Sequence, residues 1–425
     1  MRFALINPAW SFDGSIYFGC REAHLPLEYG YSKALIERAG HEAEIFDGEL
    51  EAAMDYRPDF AVVTTAPSYL FWRCAPPELR VPIETIRAIE EPVRGRGGRI
   101  VVVGPHSSTT PLTTLRKTGA DLVVMGECEE ILPQLAGDWN ALDSVCFDGV
   151  VRGRPHASNM EALPALKWDD ATVARHLHHH HRFDAAATRP GAEMEFSRGC
   201  PYNCTFCAKQ NFRDRYRRRP LETVLEELDA LIAQDIEYVY FIDEIFLPNK
   251  PLLDALALRP VKFGIQTRVD LWNRDMLDLL GHAGCVSVEA GVESISEEGR
   301  AILDKKCRLS TDDLAERLIY ARGRIPFVQA NLLQMEKDDP AAMQAWRQYL
   351  IERGVWANEP VPLFAYPGSP EYQRRWGSED DAAWERAVDS YLDTHYAFSD
   401  IQNQRPVRLI QLEGNSRQTP STYGA

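Results

Sequence analysis

Short apolar runs alternate with longer stretches of helical periodicity along most of the chain. In the first 150 residues the runs fall at 3–6, 60–64, 100–103 and 122–125, with helix-like stretches at 31–39 and 83–93 between them. Continuous apolar runs mark strands buried on both faces, and intervening helices imply parallel pairing through crossovers. Residues 1–150 are therefore predicted to form a doubly wound parallel sheet. Ligands of such sheets sit at the carboxyl ends of the strands, where the loops gather. Those loops carry Asn7 to Trp10, Thr64, Thr65, Ala66, Pro67 and Ser68, Gly104, Pro105, His106 and Ser107, and Gly126 and Glu127. They are small, polar and punctuated by glycine or proline, which suits close backbone approach to a large ligand.

Residues 151–190 read as a connector, with Pro155, Pro164 and a histidine-rich run at 176–181. Four consecutive histidines cannot share one face of a helix or strand, so the run reads as a solvated or substrate-facing connector rather than a metal site. A second strand–helix series spans 191–370. Its strands are predicted at 193–197, 238–242, 261–267, 286–290, 327–333 and 359–364, and its helices include 221–234, 274–282, 312–322 and 341–353. Six such units are too few for a closed eight-stranded barrel, so an open, partial barrel is expected. Residues 371–425 form a C-terminal extension with one acidic helix near 380–396 and a disordered end from 414.

The length, 425 residues, allows two or three domains with separate cores. A formal charge of −16 disfavours generic binding to nucleic acid or anionic membrane. No apolar run approaches the roughly 20 residues of a membrane span. The first eight residues read as a buried strand rather than a signal peptide, so a cytosolic location is expected. Of nine cysteines, Cys20, Cys74, Cys128, Cys146, Cys285 and Cys307 are scattered and are expected to be small buried side chains in a reducing compartment. The remaining three, Cys200, Cys204 and Cys207, lie on one short segment directly after the first strand of the second series.

Soft thiolates at x3 and x2 spacing select zinc or an iron–sulfur cluster. Structural zinc wants four closed ligands, and no nearby cysteine or suitably spaced histidine supplies the fourth. Three ligands on a cubane leave one iron open. Here the segment resembles the radical S-adenosylmethionine superfamily, whose signature is C-x3-C-x-aromatic-C, with Phe206 as the aromatic. The resemblance implies a [4Fe–4S] cluster whose open iron binds the amine and carboxylate of S-adenosylmethionine. Electron transfer then cleaves the S–C5′ bond to give a 5′-deoxyadenosyl radical. It places Asp243 and Glu244 where the family's glycine-glycine-glutamate element binds the methionyl ammonium. The two glycines are absent, and a structural carboxylate pair is the alternative. Arg268, Glu289, Glu293 and Lys305 occupy points where the family contacts the ribose and carboxylate of the cofactor. Tyr366-Pro367-Gly368-Ser369-Pro370 matches a structural turn after the last strand. The five arginines between 213 and 219 read as a solvated face, with an anion-facing rim of the site as the alternative.

A doubly wound domain ahead of this barrel resembles the cobalamin-dependent branch of the superfamily, through residues 25–31, 103–106 and 120–127. That branch implies cobalamin in residues 1–150, held by the strand-end loops and, since no D-x-H-x-x-G element is present, without a protein histidine on cobalt. Loss of cobalamin is the alternative. The implied reaction is methylation of an unreactive carbon, with radical rearrangement, cyclisation or oxidation as alternatives. Methylthiotransferases share the domain order but carry three further clustered cysteines, which Cys20, Cys74 and Cys128 do not reproduce. A non-enzymatic electron-transfer protein would complete its cluster with a fourth cysteine. The expected partners are a small-molecule, natural-product, lipid or sugar substrate and an external electron donor such as flavodoxin or ferredoxin, with no nucleic acid.

Overall fold

The computed structural model describes residues 1–16, 24–67, 75–176, 191–395 and 405–414. Two sheets carry the architecture. The first contains β1 (Arg2–Asn7), β2 (Glu42–Asp47), β3 (Phe60–Thr64), β4 (Arg99–Val103), β5 (Leu122–Val124), β6 (Val145–Phe147) and β7 (Val150–Arg152), in the order β2-β1-β3-β4-β5-β6-β7. The first five strands are parallel, and β6 and β7 close the edge as an antiparallel hairpin. Strand order reverses between β1 and β3, which puts the ligand crevice at the loops after those two strands.

Successive strand residues enter opposite cores. Phe3, Leu5, Val62, Val101, Val103 and Leu122 pack on one face, while Ala4, Ile6, Ala61, Val63, Ile100 and Val102 pack on the other. Two pieces of this sheet escaped the sequence reading. β2 alternates Glu42, Glu44 and Asp47 with apolar residues because it is an edge strand. The β6–β7 hairpin is too short to register as an apolar run, and it carries the sheet to Arg152.

The second sheet is wholly parallel and open, in the order β15-β14-β13-β12-β11-β8. Its strands are β8 (Gly191–Met194), β11 (Tyr238–Phe241), β12 (Lys262–Thr267), β13 (Cys285–Glu293), β14 (Phe327–Leu332) and β15 (Trp356–Ala357). β9 (Ser197–Arg198) and β10 (Arg217–Arg218) form a separate antiparallel pair. The six-strand partial barrel is as expected, with two corrections. The first strand was expected to run to 197, but it stops at Met194 and the chain turns into β9. The sixth was expected at 359–364, yet pairing is confined to Trp356–Ala357 and a single bridge from Leu333 to Val361. Pro360 and Pro362 have no N–H to give a ladder.

The helix Ala383–His395 lies where the acidic helix was expected. It packs Trp384, Val388 and Tyr391 with Ile16, Phe364 and Tyr372 in one core. Val407 N donates to Gly14 O at 2.8 Å and Leu79 N to Glu413 Oε1 at 2.8 Å, so the C-terminal extension clasps the first domain. Residues 415–421 of the expected disordered end lie outside the described residues, as do histidines 178–181. His176 departs from the solvated half of the solvated or substrate-facing connector expected at 176–181. It is buried, with Nε2 2.9 Å from Asp47 Oδ2. No helix among the described residues is long and apolar enough to cross a membrane.

Candidate functional site

The three cysteines sit on the loop between β9 and β10, closed at its base by Arg198 opposite Arg217 and Ser197 opposite Arg218. Gly199 starts the loop at φ +76°, and a Cβ there would stand 2.1 Å from Arg215 O, so only glycine fits. Lys209 Nζ ties the two arms together, donating to Cys200 O at 2.7 Å and Asp214 O at 2.8 Å. Cys207 N donates to Cys204 O at 3.1 Å. Outside the loop, Thr205 N donates to Leu303 O at 3.0 Å and Thr205 O accepts from Glu371 N at 2.8 Å. The second of these bonds comes from the helix Pro370–Trp376, whose N-cap Ser369 belongs to the Tyr366–Pro370 turn; its structural role is thus to seat the cysteine loop.

Cys200, Cys204, Cys207 and Phe206 are all half-buried. Burial raises the three thiols, Cys207 to about 12, while Lys305 and Arg268 pull Cys204 back down. No group of three or more His, Cys, Asp or Glu side chains among the described residues is arranged to hold one metal ion. A cubane presents a separate iron to each thiolate, so three spaced cysteines suit a cluster rather than a mononuclear ion. The nearby cations suit the negative charge of such a cluster.

Arg268, Glu293 and Lys305 converge on this loop. The Arg268 guanidinium lies 4.2 Å from the Tyr202 ring centroid, held by Asp270 at 2.7 Å, and its buried Nη1 has no partner. Lys305 pairs with Glu293 and donates to Gly291 O at 3.0 Å. Burial lowers Lys305 to about 8. Glu293 takes a left-handed φ of 63°, where the β13–β14 register shifts, a strained conformation of the kind found at ligand clamps. Glu289 stands deeper on β13, in register with Gln266 and Gln329. These three and Asn331 are half-buried, whereas Ile265, Val288, Val328 and Ala330 are buried in the core. Alternation therefore gives the sheet a polar inner face. That polar row was legible as polar residues at every second strand position, yet only Glu289 was singled out.

Asp243 and Glu244 bond to the base of the loop. Asp243 accepts from Phe196 N at 2.9 Å and from Ser197 Oγ; Glu244 accepts from Gly199 N at 2.7 Å and Arg213 Nη1 at 3.0 Å. Burial raises both carboxyls, Asp243 to about 8. In this geometry the pair braces the cysteine loop.

The arginine run departs from the solvated face expected of it. Arg215 and Arg218 are exposed, but Arg213 and Arg219 are buried. Arg213 reaches Glu28, Glu195 and Glu244; Arg219 pairs with Glu227 at 2.7 Å. Arg198 pairs with Glu127, Glu129 and Glu195, and Arg217 with Glu127. Glu28, Glu127 and Glu129 come from distant sequence, so spacing along the run carried no signal of them.

In the first domain the strand-end candidates divide. Gly104, at φ 109°, precedes the short helix Pro105–Thr109, in which Pro105 is buried. The buried hydroxyls of Thr65 and Ser107 have no partner. His106 is fully buried, its Nε2 3.2 Å from Pro77 O and its ring stacked on Trp384 at 4.1 Å; burial lowers it to about 3. Gly126 is pressed against the backbone of His156, and Glu127 is consumed by the arginines. Ser68 lies outside the described residues. Ala66, after β3, and Phe212, on the cysteine loop, are buried against each other. The helix Pro105–Thr109 likewise meets the turn Lys209–Asn211. The loops of the two sheets therefore face one another across a shared seam.

Residues 194–343, which hold all three cysteines and β11 to β14, match the radical SAM superfamily. This stretch is a radical SAM domain. The chain is 26% identical over 300 residues to an uncharacterised methyltransferase of Pyrococcus horikoshii, covering 64% of this chain and 61% of the relative. It is 26% identical over 362 residues to a hopanoid C-3 methylase of Methylococcus capsulatus, covering 79% and 66%. It thus spans about two thirds or less of the length of either relative. The radical S-adenosylmethionine methyltransferase TsrM from Kitasatospora setae, with tryptophan substrate and a SAM analogue bound, superposes at a TM-score of 0.64. The identity is 19%, covering 88% of this chain and 76% of that one. The cobalamin-dependent S-adenosylmethionine radical enzyme OxsB, with aqua-cobalamin and S-adenosylmethionine bound, gives 0.66 at 15% identity, covering 93% and 67%. Both share the fold of the radical SAM domain and of the sheet before it.

Proposed function

We infer that the chain is a cobalamin-dependent radical SAM enzyme that methylates an unreactive carbon of a small molecule. The observation that carries this reading is the seam. A three-cysteine loop at the barrel mouth meets the strand-end loops of a doubly wound domain through Phe212 and Ala66. A methyl donor and a substrate radical must meet at close range, and the contact between the two loop sets supports this reading.

Cys200, Cys204 and Cys207 would hold the cluster, and Arg268, Glu293 and Lys305 the S-adenosylmethionine. The loops after β1, β3 and β4, with Thr65, Gly104 and Ser107, would hold cobalamin. When bound, these groups supply one-electron cleavage of S-adenosylmethionine and a transferable methyl group. The chain's own residues orient and enclose. Arg268 presents an unpartnered N–H towards an anionic oxygen. Lys305, lowered by burial, sets the charge beside Cys204. The polar inner face of β12 to β14 offers amide and carboxylate groups to a hydrogen-bonding substrate. An external one-electron donor of the flavodoxin or ferredoxin type completes the cycle.

Cyclisation is the second reading, because anaerobic magnesium-protoporphyrin IX monomethyl ester cyclases are also similar, one from Rubrivivax gelatinosus at 24% identity over 49% of this chain. Anaerobic reconstitution with iron, sulfide and hydroxocobalamin tests the reading. About one cobalamin per chain is expected, with no histidine coupling in the Co(II) spectrum and 5′-deoxyadenosine formed on adding dithionite and S-adenosylmethionine. Failure to retain cobalamin would remove methylation while leaving radical chemistry standing.

A further inference from the structure

The buried ionic network is larger than a cysteine loop needs for its own support. Four guanidinium groups, on Arg198, Arg213, Arg217 and Arg219, meet six carboxyl groups, on Glu28, Glu127, Glu129, Glu195, Glu227 and Glu244. Nearly all are fully buried, with Arg217 at the rim. Three of the carboxyls belong to the first domain: Glu28 opens the helix Leu27–Arg38, and Glu127 and Glu129 follow β5. The arginines bracket the cysteines in sequence, Arg198 two residues before Cys200 and Arg213 six after Cys207.

We propose that this network is a strut that fixes the cysteine loop at a set distance from the cobalamin-site loops, with Arg213 as the central positioning residue; the proposal rests on the function inferred above. One continuous path runs from the first domain to the first cysteine. Glu28 Oε1 accepts from Arg213 Nη2 at 2.9 Å, and Arg213 Nη1 donates to Glu244 Oε1 at 3.0 Å. Glu244 Oε2 then accepts from Gly199 N at 2.7 Å, next to Cys200. A second path is shorter. Arg198, bonded through the backbone to Gly199, places Nη1 3.0 Å from Glu127 Oε2 and 2.6 Å from Glu129 Oε1. Glu195 joins the two paths, receiving Arg198 Nε at 2.8 Å and Arg213 Nη1 at 2.9 Å.

A planar guanidinium holds its donors in a rigid fork, whereas an ammonium is a compact charge with rotatable donors that fixes its partners less. Buried charges of this kind contribute little net stability compared with apolar packing, and their attested use is to specify one arrangement. The arrangement specified here is the relation between two loop sets on different sheets. Glu28, pushed up to about 8 by burial, offsets part of the excess of carboxyls while it still accepts from Arg213.

Arg213→Lys and Arg217→Gln test the strut by two readouts. Hydrogen exchange is measured on the apo-protein, and pulsed dipolar EPR on the dithionite-reduced protein reconstituted with cluster and hydroxocobalamin. In Arg213→Lys, exchange at residues 196–207 should rise at least about tenfold while β11 to β14 keep their protection. The distribution of distances between Co(II) and the reduced cluster should broaden. Arg217→Gln, at the rim, should give the same pattern at about threefold, and it decides the matter if Arg213→Lys does not fold. Unchanged exchange and an unchanged distance distribution would overturn the strut, as would a uniform rise over both sheets, which marks general destabilisation. A protein that retains no cobalamin gives no Co(II) signal and counts against the inferred function, whereas exchange on the apo-protein still decides the strut.

Discussion

The two candidate sites are built in opposite ways. In the barrel, the three cysteines span eight residues of one loop, and the groups predicted around them, Arg268, Glu293 and Lys305, converge on it from β12, β13 and the segment after. In the first domain the candidates came from four separate loops, and tertiary contacts close several of them off. His106 is capped by Trp384, Gly126 by His156, and Glu127 by two arginines. Thr65 and Ser107, both on strand-end loops the sequence pointed to, keep buried hydroxyls without a partner among the described residues. A compact motif on one loop survives folding because its geometry is local; a set of scattered loop residues is re-sorted by whatever packs over them.

The contrast is broken most severely at the cysteines. Cys200→Ala, Cys204→Ala or Cys207→Ala should each abolish the cluster and all deoxyadenosine formation, while Cys146→Ala and Cys285→Ala, buried in apolar cores, leave both intact. Iron content and product analysis under anaerobic conditions check this. A complete cluster in any of the first three would refute the assignment.

Next come the converging side chains. Arg268→Ala and Lys305→Ala should retain the cluster and weaken S-adenosylmethionine binding roughly 10- to 100-fold, the scale of one charge-assisted hydrogen bond. Calorimetric titration measures it; unchanged affinity in both would move the cofactor site elsewhere.

In the first domain the effects should be smaller and should separate open from closed positions. Thr65→Val removes a hydroxyl that has no partner among the described residues, so apo stability should hold or rise while cobalamin affinity drops about tenfold. His106→Phe keeps the stack on Trp384 and should leave cobalamin affinity unchanged. Fluorescence quenching by hydroxocobalamin distinguishes the two, and equal losses would mean that His106 also lines the site.

The same histidine sharpens the comparison through pH. His106 lies at about 3 in the fold, against 6.5 when unperturbed, because burial opposes its charge. The unfolded chain therefore binds the extra proton first. The stability this group contributes is full above pH 6.5 and declines as pH falls towards 3, by up to about 1.4 kcal/mol per unit. Urea denaturation of wild type and His106→Phe between pH 7 and 5 should show a shallower loss in the variant. Parallel curves would place the proton elsewhere.

The sequence by itself determined the class of both sheets, most helices, the partial barrel and the cysteine loop, since each depends on local periodicity or on spacing within a single turn of chain. β2 and the β6–β7 hairpin were missed because edge strands and three-residue strands have too little apolar pattern to stand out. β15 was displaced because Pro360 and Pro362 cannot donate to a ladder. Only the tertiary structure decided what the charged residues do. Arg213 and Arg215 are two positions apart and alike in composition, yet one is buried among carboxylates and the other is exposed. Asp243 and Glu244 hold the backbone and Ser197 hydroxyl at the base of the cysteine loop, contacts that spacing in the sequence did not reveal. Charge is tolerated inside a protein only where partners meet it, and those partners, Glu28, Glu127 and Glu129, stand 69 to 185 residues away in the chain.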